Sequence, residues 1–177
     1  MKSILVITGS SRKDGNSTLL AKAFIEGAEH TGNKIMLFDV AKKKVNPCIA
    51  CNTCLTKGRC VYNDDFNELI PMLQNADIIV FSSPLYWFTF SAQLKAVIDR
   101  MYSVQNISNK QSVLITCGQT DNMNDFEGII KSYELMANYL EWKNIAVLAI
   151  PDVNEVGDVK NTDGLEKAKK IGLSIKD

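Results

Sequence analysis

Four cysteines lie close together in the first half of the chain, with the spacing C-x2-C-x2-C-x5-C: Cys48, Cys51, Cys54 and Cys60. A compact run of four thiolates is typical of the ligands of a [4Fe-4S] cluster, because it is close to the spacing of bacterial ferredoxins. Structural zinc more often uses two well-separated C-x2-C pairs, so zinc is the less favoured metal. The same cysteines could be free thiols or form a disulfide, and the spacing alone leaves that alternative open.

A loop rich in hydroxyl groups, T-G-S-S-R-K-D-G-N-S-T, occupies residues 8–18. It follows a predicted strand and leads into a predicted helix, where unpaired backbone amides and the helix dipole favour an anion. It is neither a Walker A loop nor a G-x-G-x-x-G dinucleotide motif. The side chains that could bind a phosphate are Ser10, Arg12, Asn16, Ser17 and Thr18. A helix cap alone would need one such residue, so the loop predicts a phosphate site.

Aromatic side chains mark a third segment, S-P-L-Y-W-F-T-F, at residues 83–90. It follows another predicted strand, and its rings could cover a flat heteroaromatic group. The rings could instead pack in the core or at a subunit interface, but a position at the carboxyl end of a strand favours a ligand. The sequence T-C-G at 116–118 is predicted to form another wall of the same cleft. Its cysteine, Cys117, is predicted to be a buried thiol.

These segments are positioned by a regular alternation of strand and helix patterns. Strands are predicted at residues 3–8, 34–39, 77–82, 112–116 and 145–150. Helices are predicted at residues 17–31, 65–75, 91–104, 126–142 and 162–175, the second of them with an Asp65–Glu68 capping box. The alternation predicts one α/β domain over residues 1–177, a doubly wound five-stranded parallel sheet with helices on both faces. The cysteine-rich loop at about 41–63 is long for a connection of this kind, which indicates a function.

Composition excludes several classes of function. The chain has 20 Lys+Arg and 20 Asp+Glu, so its formal net charge is zero. Binding nucleic acid or an anionic membrane through bulk charge would need a basic excess. No apolar run approaches the roughly 20 residues of a membrane span, and residues 1–11 indicate a buried strand, not a signal peptide. We therefore expect a cytoplasmic protein with no nucleic-acid and no membrane partner.

Together, the segments G-S-S-R-K-D-G-N-S-T, S-P-L-Y-W, S-A-Q-L-K-A-V-I-D-R and T-C-G resemble the flavodoxin-fold NAD(P)H-dependent FMN reductases. The cysteine spacing is similar to that of their iron–sulfur flavoprotein branch, whose members carry a [4Fe-4S] cluster on it. The resemblance implies a flavodoxin-like domain that binds the FMN phosphate through the polar residues of the 8–18 loop. It implies that the isoalloxazine ring is lined by Pro84, Leu85, Tyr86, Trp87 and Phe88, with Cys117 and Gly118 nearby.

The resemblance implies an FMN-dependent oxidoreductase that takes electrons from NAD(P)H to a small-molecule acceptor, such as a quinone or a flavin. The flavin would carry the chemistry, so no catalytic side chain is required. Two alternatives stay open: an iron–sulfur flavoprotein electron carrier that accepts from ferredoxin, and a redox-sensing module built on the cysteines. The family often has Gly where Phe88 stands, so this ring is expected to narrow access to the flavin. The resemblance also implies a homodimer or homotetramer.

Overall fold

The computed structural model describes residues 1–176 and contains one sheet of five parallel strands. The strands are β1 (Ser3–Thr8), β2 (Lys34–Asp39), β3 (Ile78–Pro84), β4 (Gln111–Cys117) and β5 (Lys143–Ile150). Their order across the sheet is β2-β1-β3-β4-β5. All five predicted strands are confirmed. The central strands β1, β3 and β4 are almost entirely buried, as their continuous apolar runs indicate.

Six α-helices connect the strands in the described part of the chain. They are α1 (Asn16–His30), α2 (Thr53–Lys57), α3 (Phe66–Asn75), α4 (Ala92–Met101), α5 (Glu127–Tyr139) and α6 (Gly164–Ser174). Five of them confirm predicted helices with small differences at the ends. The exception is α2, which lies inside the cysteine-rich loop. Its 5 residues are too few to show a helical period in the sequence.

Helices cover both faces of the sheet, as the α/β prediction requires. On one face, α1 and α6 pack through residues such as Leu20 and Ala168. On the other face, α3, α4 and α5 pack through Leu69, Leu94 and Ile129. Each face therefore has its own apolar core, and the doubly wound arrangement is confirmed.

One predicted helix start is wrong in detail. The Asp65–Glu68 capping box does not form, because the Asp65 carboxylate accepts instead from the Lys44 N–H at 2.7 Å. The start of α3 uses the preceding residue, since the Asp64 carboxylate accepts from the Phe66 N–H at 3.2 Å. Both acidic side chains therefore fix the far end of the cysteine-rich loop as well as the helix.

The strand order creates a crevice beyond the carboxyl ends of β1 and β3. These two strands are neighbours in the sheet, and the chain leaves them towards opposite sides, which is where open α/β sheets bind ligands. The loops after β1, β3 and β4 therefore meet at this edge, as the sequence predicts. None of the helices within residues 1–176 has the length and apolar character needed to cross a bilayer.

Candidate functional site

The loop after β1 presents the start of α1 to the crevice. Two neighbouring elements hold its first residue: the Gly9 N–H donates to the Ser82 carbonyl at 2.7 Å, and the Ser91 hydroxyl donates to the Gly9 carbonyl at 2.6 Å. Gly15 precedes the helix and offers no side chain to cap it. The first amides of α1 therefore keep hydrogen-bonding capacity for a ligand, and the helix dipole favours an anionic one.

The Ser17 hydroxyl is the strongest local indication of a bound ligand. Ser17 is 1% exposed, and its Oγ has no hydrogen-bond partner within residues 1–176. Leaving a buried hydroxyl unpaired costs about 1–3 kcal/mol. At Gly15, an added Cβ would lie 2.6 Å from the Ser10 Oγ. A larger residue there would fill the space beside the helix start, so these residues fit a phosphate group.

Ser17 lines a cavity of about 190 Å³ at the carboxyl edge of the sheet. The same cavity is lined by Ser10, Arg12, Gly15, Asn16, Pro84, Cys117, Gly118, Val153 and Asn154. A wider groove of about 530 Å³ adjoins it, and the two spaces share Leu85, Tyr86 and Gln119. A ligand with an anionic end and a flat ring could therefore occupy both. These lining residues fit FMN.

The aromatic segment forms a tight hairpin turn at the edge of the groove. Tyr86 and Thr89 pair with each other through two backbone hydrogen bonds of 3.0 and 3.1 Å. Between them, Trp87 and Phe88 have φ angles of 47° and 63°, in the left-handed region that non-glycine residues seldom adopt. Trp87 is 91% exposed. These two rings do not pack in the core, and strained backbone of this kind is typical of ligand sites.

Cys117 and Gly118 line the cavity at the end of β4, next to the aromatic segment. Burial raises the pKa of the Cys117 thiol to about 12. Cys117 is therefore a protonated, apolar wall at neutral pH, and the prediction of a buried thiol is confirmed. At Gly118, an added Cβ would lie 3.1 Å from the Leu85 Cβ, so glycine permits the close approach of the two loops.

Arg12 and Asn16, two of the predicted phosphate ligands, have partners within the protein. Arg12 Nη1 donates to the Asn154 carbonyl at 3.1 Å. Asn16 Nδ2 donates to the Glu155 carbonyl at 2.9 Å, and Asn16 Oδ1 accepts from the Gly157 N–H at 2.9 Å. Arg12 has further guanidinium donors for a phosphate. Both ends of the Asn16 amide, in contrast, are engaged by the segment after β5.

Thr18 is placed differently from the rest of the predicted phosphate loop. It lines a separate groove of about 510 Å³ beside the end of β2, not the cavity that contains Ser17. Ser10 and Arg12 line both spaces. The structure thus brings the other four predicted phosphate ligands to one cavity and leaves Thr18 outside it.

The four clustered cysteines all line one cavity of about 410 Å³. Cys48 and Cys51 are exposed, Cys54 and Cys60 are half-buried, and all four are free thiols. Within residues 1–176, no three Cys, His, Asp or Glu side chains are grouped so that they could hold a metal ion. Four thiols are the donors that an iron–sulfur cluster needs. In this structure, however, the described thiols are not gathered around one centre.

A buried ion pair fixes the two ends of the cysteine-rich loop, at Asn46 and Asp64, which are here called the neck. Arg100 of α4 is 1% exposed and binds both Asp64 carboxylate oxygens, at 3.0 and 3.2 Å. It also donates to the Asn46 carbonyl at 3.0 Å, and Asn46 donates to Asp64 through its backbone and side-chain amides. The Tyr62 and Phe66 rings lie against the guanidinium. The residues that enter and leave the loop are thereby fixed to α4.

The pKa values of Asp64, at the end of the loop, and of Cys51, inside it, are both lowered. Burial alone would raise the pKa of Asp64, but hydrogen bonds from Arg100 and Asn46 and the charge of Arg100 hold it well below the ordinary carboxyl value. Hydrogen bonding to Thr53 lowers the pKa of the Cys51 thiol, whose Sγ lies 3.3 Å from the Thr53 Oγ1. A lower pKa increases the fraction of thiolate, which is the form of cysteine that binds metals and reacts as a nucleophile.

Sequence reasoning missed Asp64 as the partner of Arg100 at the neck of the loop, and the part of the cavity wall that follows β5. Arg100 carried a usable signal, since it follows Val97 by one helical turn on the apolar face of a predicted helix. A buried charge at such a position requires a partner. Val153 and Asn154 carried no such signal, because their segment has no periodic pattern.

The fold and this site define a flavodoxin-like α/β protein with a site of the kind that binds a flavin. Residues 2–125 match the NADPH-dependent FMN reductase family. The chain therefore belongs to that family, and it is an FMN-dependent oxidoreductase. The suggested family resemblance is confirmed.

Individual known proteins agree with this assignment. An alignment of 186 positions with an iron-sulfur flavoprotein of Methanocaldococcus jannaschii is 30% identical and covers 97% of this chain and 94% of that protein. One from Archaeoglobus fulgidus is 39% identical over 95 residues, which cover 54% of this chain and only 43% of that protein. The solved NAD(P)H:quinone oxidoreductase of Methanothermobacter marburgensis has a TM-score of 0.79 at 18% identity, covering 97% of this chain and 94% of that one. The last likeness establishes the fold.

Proposed function

We propose that this chain binds FMN with its phosphate in the 190 Å³ cavity and its ring in the adjoining groove. It then takes electrons from NAD(P)H to a small-molecule acceptor such as a quinone or a flavin. The observation that carries the proposal is the Ser17 hydroxyl, which is buried and unpaired among the described residues, in a cavity that shares a wall with an aromatic groove. The family match supports the same cofactor.

In this proposal the residues of the chain bind and orient, while FMN, when bound, supplies hydride and electron transfer. The phosphate is held by the open amides of α1, the hydroxyls of Ser10 and Ser17 and the guanidinium of Arg12. Leu85 and Tyr86, which line both spaces, orient the part of the ligand that joins phosphate and ring.

We propose a flat acceptor. The exposed rings of Trp87 and Phe88 border the groove, and Phe88 stands where the family often has Gly. A ring at this position narrows the approach and favours a planar molecule that can slide along it. The name of the Methanothermobacter relative, a quinone oxidoreductase, supports a quinone as the first acceptor to test.

The test is an anaerobic titration of the protein with FMN and with riboflavin, followed by mixing with NADH or NADPH and then with a quinone. FMN should bind, and its absorbance should fall with reduced nicotinamide and return with the quinone. Ser17→Ala should lower the affinity for FMN by about tenfold, because it removes one net hydrogen bond to a charged group, and should leave the affinity for riboflavin unchanged. Ser11→Ala is the control, because this exposed serine of the same loop does not line the cavity. A wild-type protein that binds neither flavin would refute the proposal.

We propose as a second point that the four clustered cysteines hold an iron–sulfur cluster. Support comes from their shared cavity and from the names of the relatives. Iron and acid-labile sulfide should be found in protein purified without oxygen. Cys51→Ser should remove the iron but not the FMN, whereas Cys117→Ser should keep the iron. Flavin-free protein with reactive thiols and no iron would favour the redox-sensing alternative instead.

The partners that follow are NAD(P)H as donor, a small-molecule acceptor and a second copy of the chain. If the chain is instead an iron–sulfur flavoprotein electron carrier, reduced ferredoxin is the donor, and it should reduce the flavin faster than NAD(P)H does. The expected homodimer or homotetramer is tested by light scattering after gel filtration.

A further inference from the structure

The outer wall of the 190 Å³ cavity comes from the segment between β5 and α6, here called the wall loop (residues 152–159). Its Val153 and Asn154 line the cavity. The base of the wall loop is held by β-type hydrogen bonds: the Asp152 N–H donates to the Thr120 carbonyl at 2.8 Å, and the Val153 N–H donates to the Gly118 carbonyl at 3.0 Å. The loop is therefore anchored at the end that leaves the sheet.

Beyond that base, the wall loop is held by the loop after β1 and the start of α1, here called the phosphate loop (residues 8–18). Asn16 makes three hydrogen bonds to it: Nδ2 donates to the Glu155 carbonyl at 2.9 Å, and Oδ1 accepts from the Gly157 and Val159 N–H groups at 2.9 and 3.3 Å. Arg12 adds one bond to the Asn154 carbonyl at 3.1 Å. A single amide at the start of α1 thus ties down the far half of the wall.

The backbone of the wall loop needs such support. Asp152 has a φ of 55° and Gly157 a φ of 98°, both in the left-handed region. Asp152 is not glycine, so its conformation costs free energy that neighbouring interactions must offset. Inside the loop, Asp158 contributes by accepting from the Asn154 and Glu155 N–H groups at 3.0 and 2.7 Å.

We propose that the side chain of Asn16 is a positioning group, which holds the wall loop in place as one side of the flavin cavity and does not itself bind the phosphate. This inference rests on the proposed function. The sequence predicts a phosphate contact for Asn16, and the two roles predict different effects on ligand affinity. Loss of a phosphate contact weakens the binding of FMN alone, whereas loss of the wall weakens the binding of every molecule that occupies the cavity.

The test compares dissociation constants of FMN and riboflavin for four proteins: wild type, Asn16→Ala, Asp158→Ala and Ser17→Ala. Asn16→Ala should lower the affinity for both flavins by the same factor, at least about ten, because its three hydrogen bonds no longer order the wall. Asp158→Ala, which loosens the same loop without touching Asn16, should have the same pattern. Ser17→Ala, the phosphate contact in the proposed function, should weaken FMN alone.

Each titration is made well below the melting temperature of the variant, with circular dichroism to confirm folding. A purely structural role would lower that temperature and leave both affinities unchanged, and this result would overturn the inference. Selective loss of FMN in Asn16→Ala would overturn it too, and would make Asn16 a phosphate ligand. If Asn16→Ala does not fold, the affinities of Asp158→Ala for FMN and for riboflavin decide whether the wall loop is needed for flavin binding. Wild-type protein without affinity for either flavin would refute the proposed function, and the inference with it.

Discussion

Removing the Asp64 carboxylate should destabilise this protein far more than breaking an exposed ion pair. In Asp64→Ala, the Arg100 side chain, which is 1% exposed in the wild-type structure, loses its counter-ion. Removing one partner of a buried pair costs about 3–5 kcal/mol. For a domain of this size each kcal/mol lowers the melting temperature by roughly 2–4 °C. The expected fall is therefore roughly 6–20 °C.

The assay is thermal and urea unfolding, followed by circular dichroism in reducing buffer. Asp99→Ala is the matched control, because Asp99 pairs with Lys95 at the surface. Exposed pairs of this spacing contribute about 0.3–0.5 kcal/mol, which moves the melting temperature by at most ~2 °C. Replacing both buried partners, as Asp64→Leu with Arg100→Met, should recover much of the loss. If Asp64→Ala unfolds at the same temperature as Asp99→Ala, the Asp64–Arg100 pair does not stabilise the fold more than an exposed pair does.

The same ion pair predicts a pH dependence. The folded-state pKa of Asp64 is held below its ordinary value of 3.8, so folding favours the ionised carboxylate. That contribution is complete above the ordinary pKa and is lost as the pH falls below it towards the folded value. The free energy of unfolding of the wild type should therefore decrease more steeply below about pH 4 than that of Asp64→Ala. Parallel slopes for the two proteins would contradict the assignment.

Two further predictions concern the cysteines and the aromatic turn. In iron-free, folded protein at neutral pH, the four thiols of the 48–60 segment should react with a thiol reagent. Cys117 should react only after unfolding, because it is buried with its pKa raised to about 12. A fifth fast-reacting thiol in the folded protein would contradict this prediction. Trp87→Gly should leave stability unchanged or raise it by up to ~1 kcal/mol in urea unfolding, because the residue is 91% exposed and glycine relieves its left-handed conformation. A clear loss of stability would show that the indole packs against something.

The parts of the fold that the sequence could predict are those decided by local pattern. The runs that became β1, β3 and β4 are apolar at successive positions, which suits strands buried on both faces. The connection from β1 to α1 was equally visible, because a strand, a polar loop and a helix start follow each other within one short segment.

The parts that escaped prediction depend on partners far apart in the chain. Arg100 meets Asp64 across 36 residues, and Asn16 meets Gly157 across 141. An asparagine at a helix start suits a phosphate contact and a loop contact equally well, because its Nδ2–H can donate to a phosphate oxygen or to a backbone carbonyl. Only the position of the wall loop separates the two, and that position depends on how β5 and α6 pack.

The two sites are joined by α4, which determines their separation. At its start, Ser91 accepts from the Leu94 N–H and donates to the Gly9 carbonyl of the phosphate loop. Near its end, Arg100 holds the neck of the cysteine-rich loop, nine residues further along and therefore about 14 Å of helix away. Leu94 and Val97 are fully buried against the sheet, so the helix cannot slide without breaking the core. The core packing of α4 therefore sets the position of the neck relative to the cavity at the start of α1. We expect a variant that loosens the neck to free the thiols without moving the loop after β1.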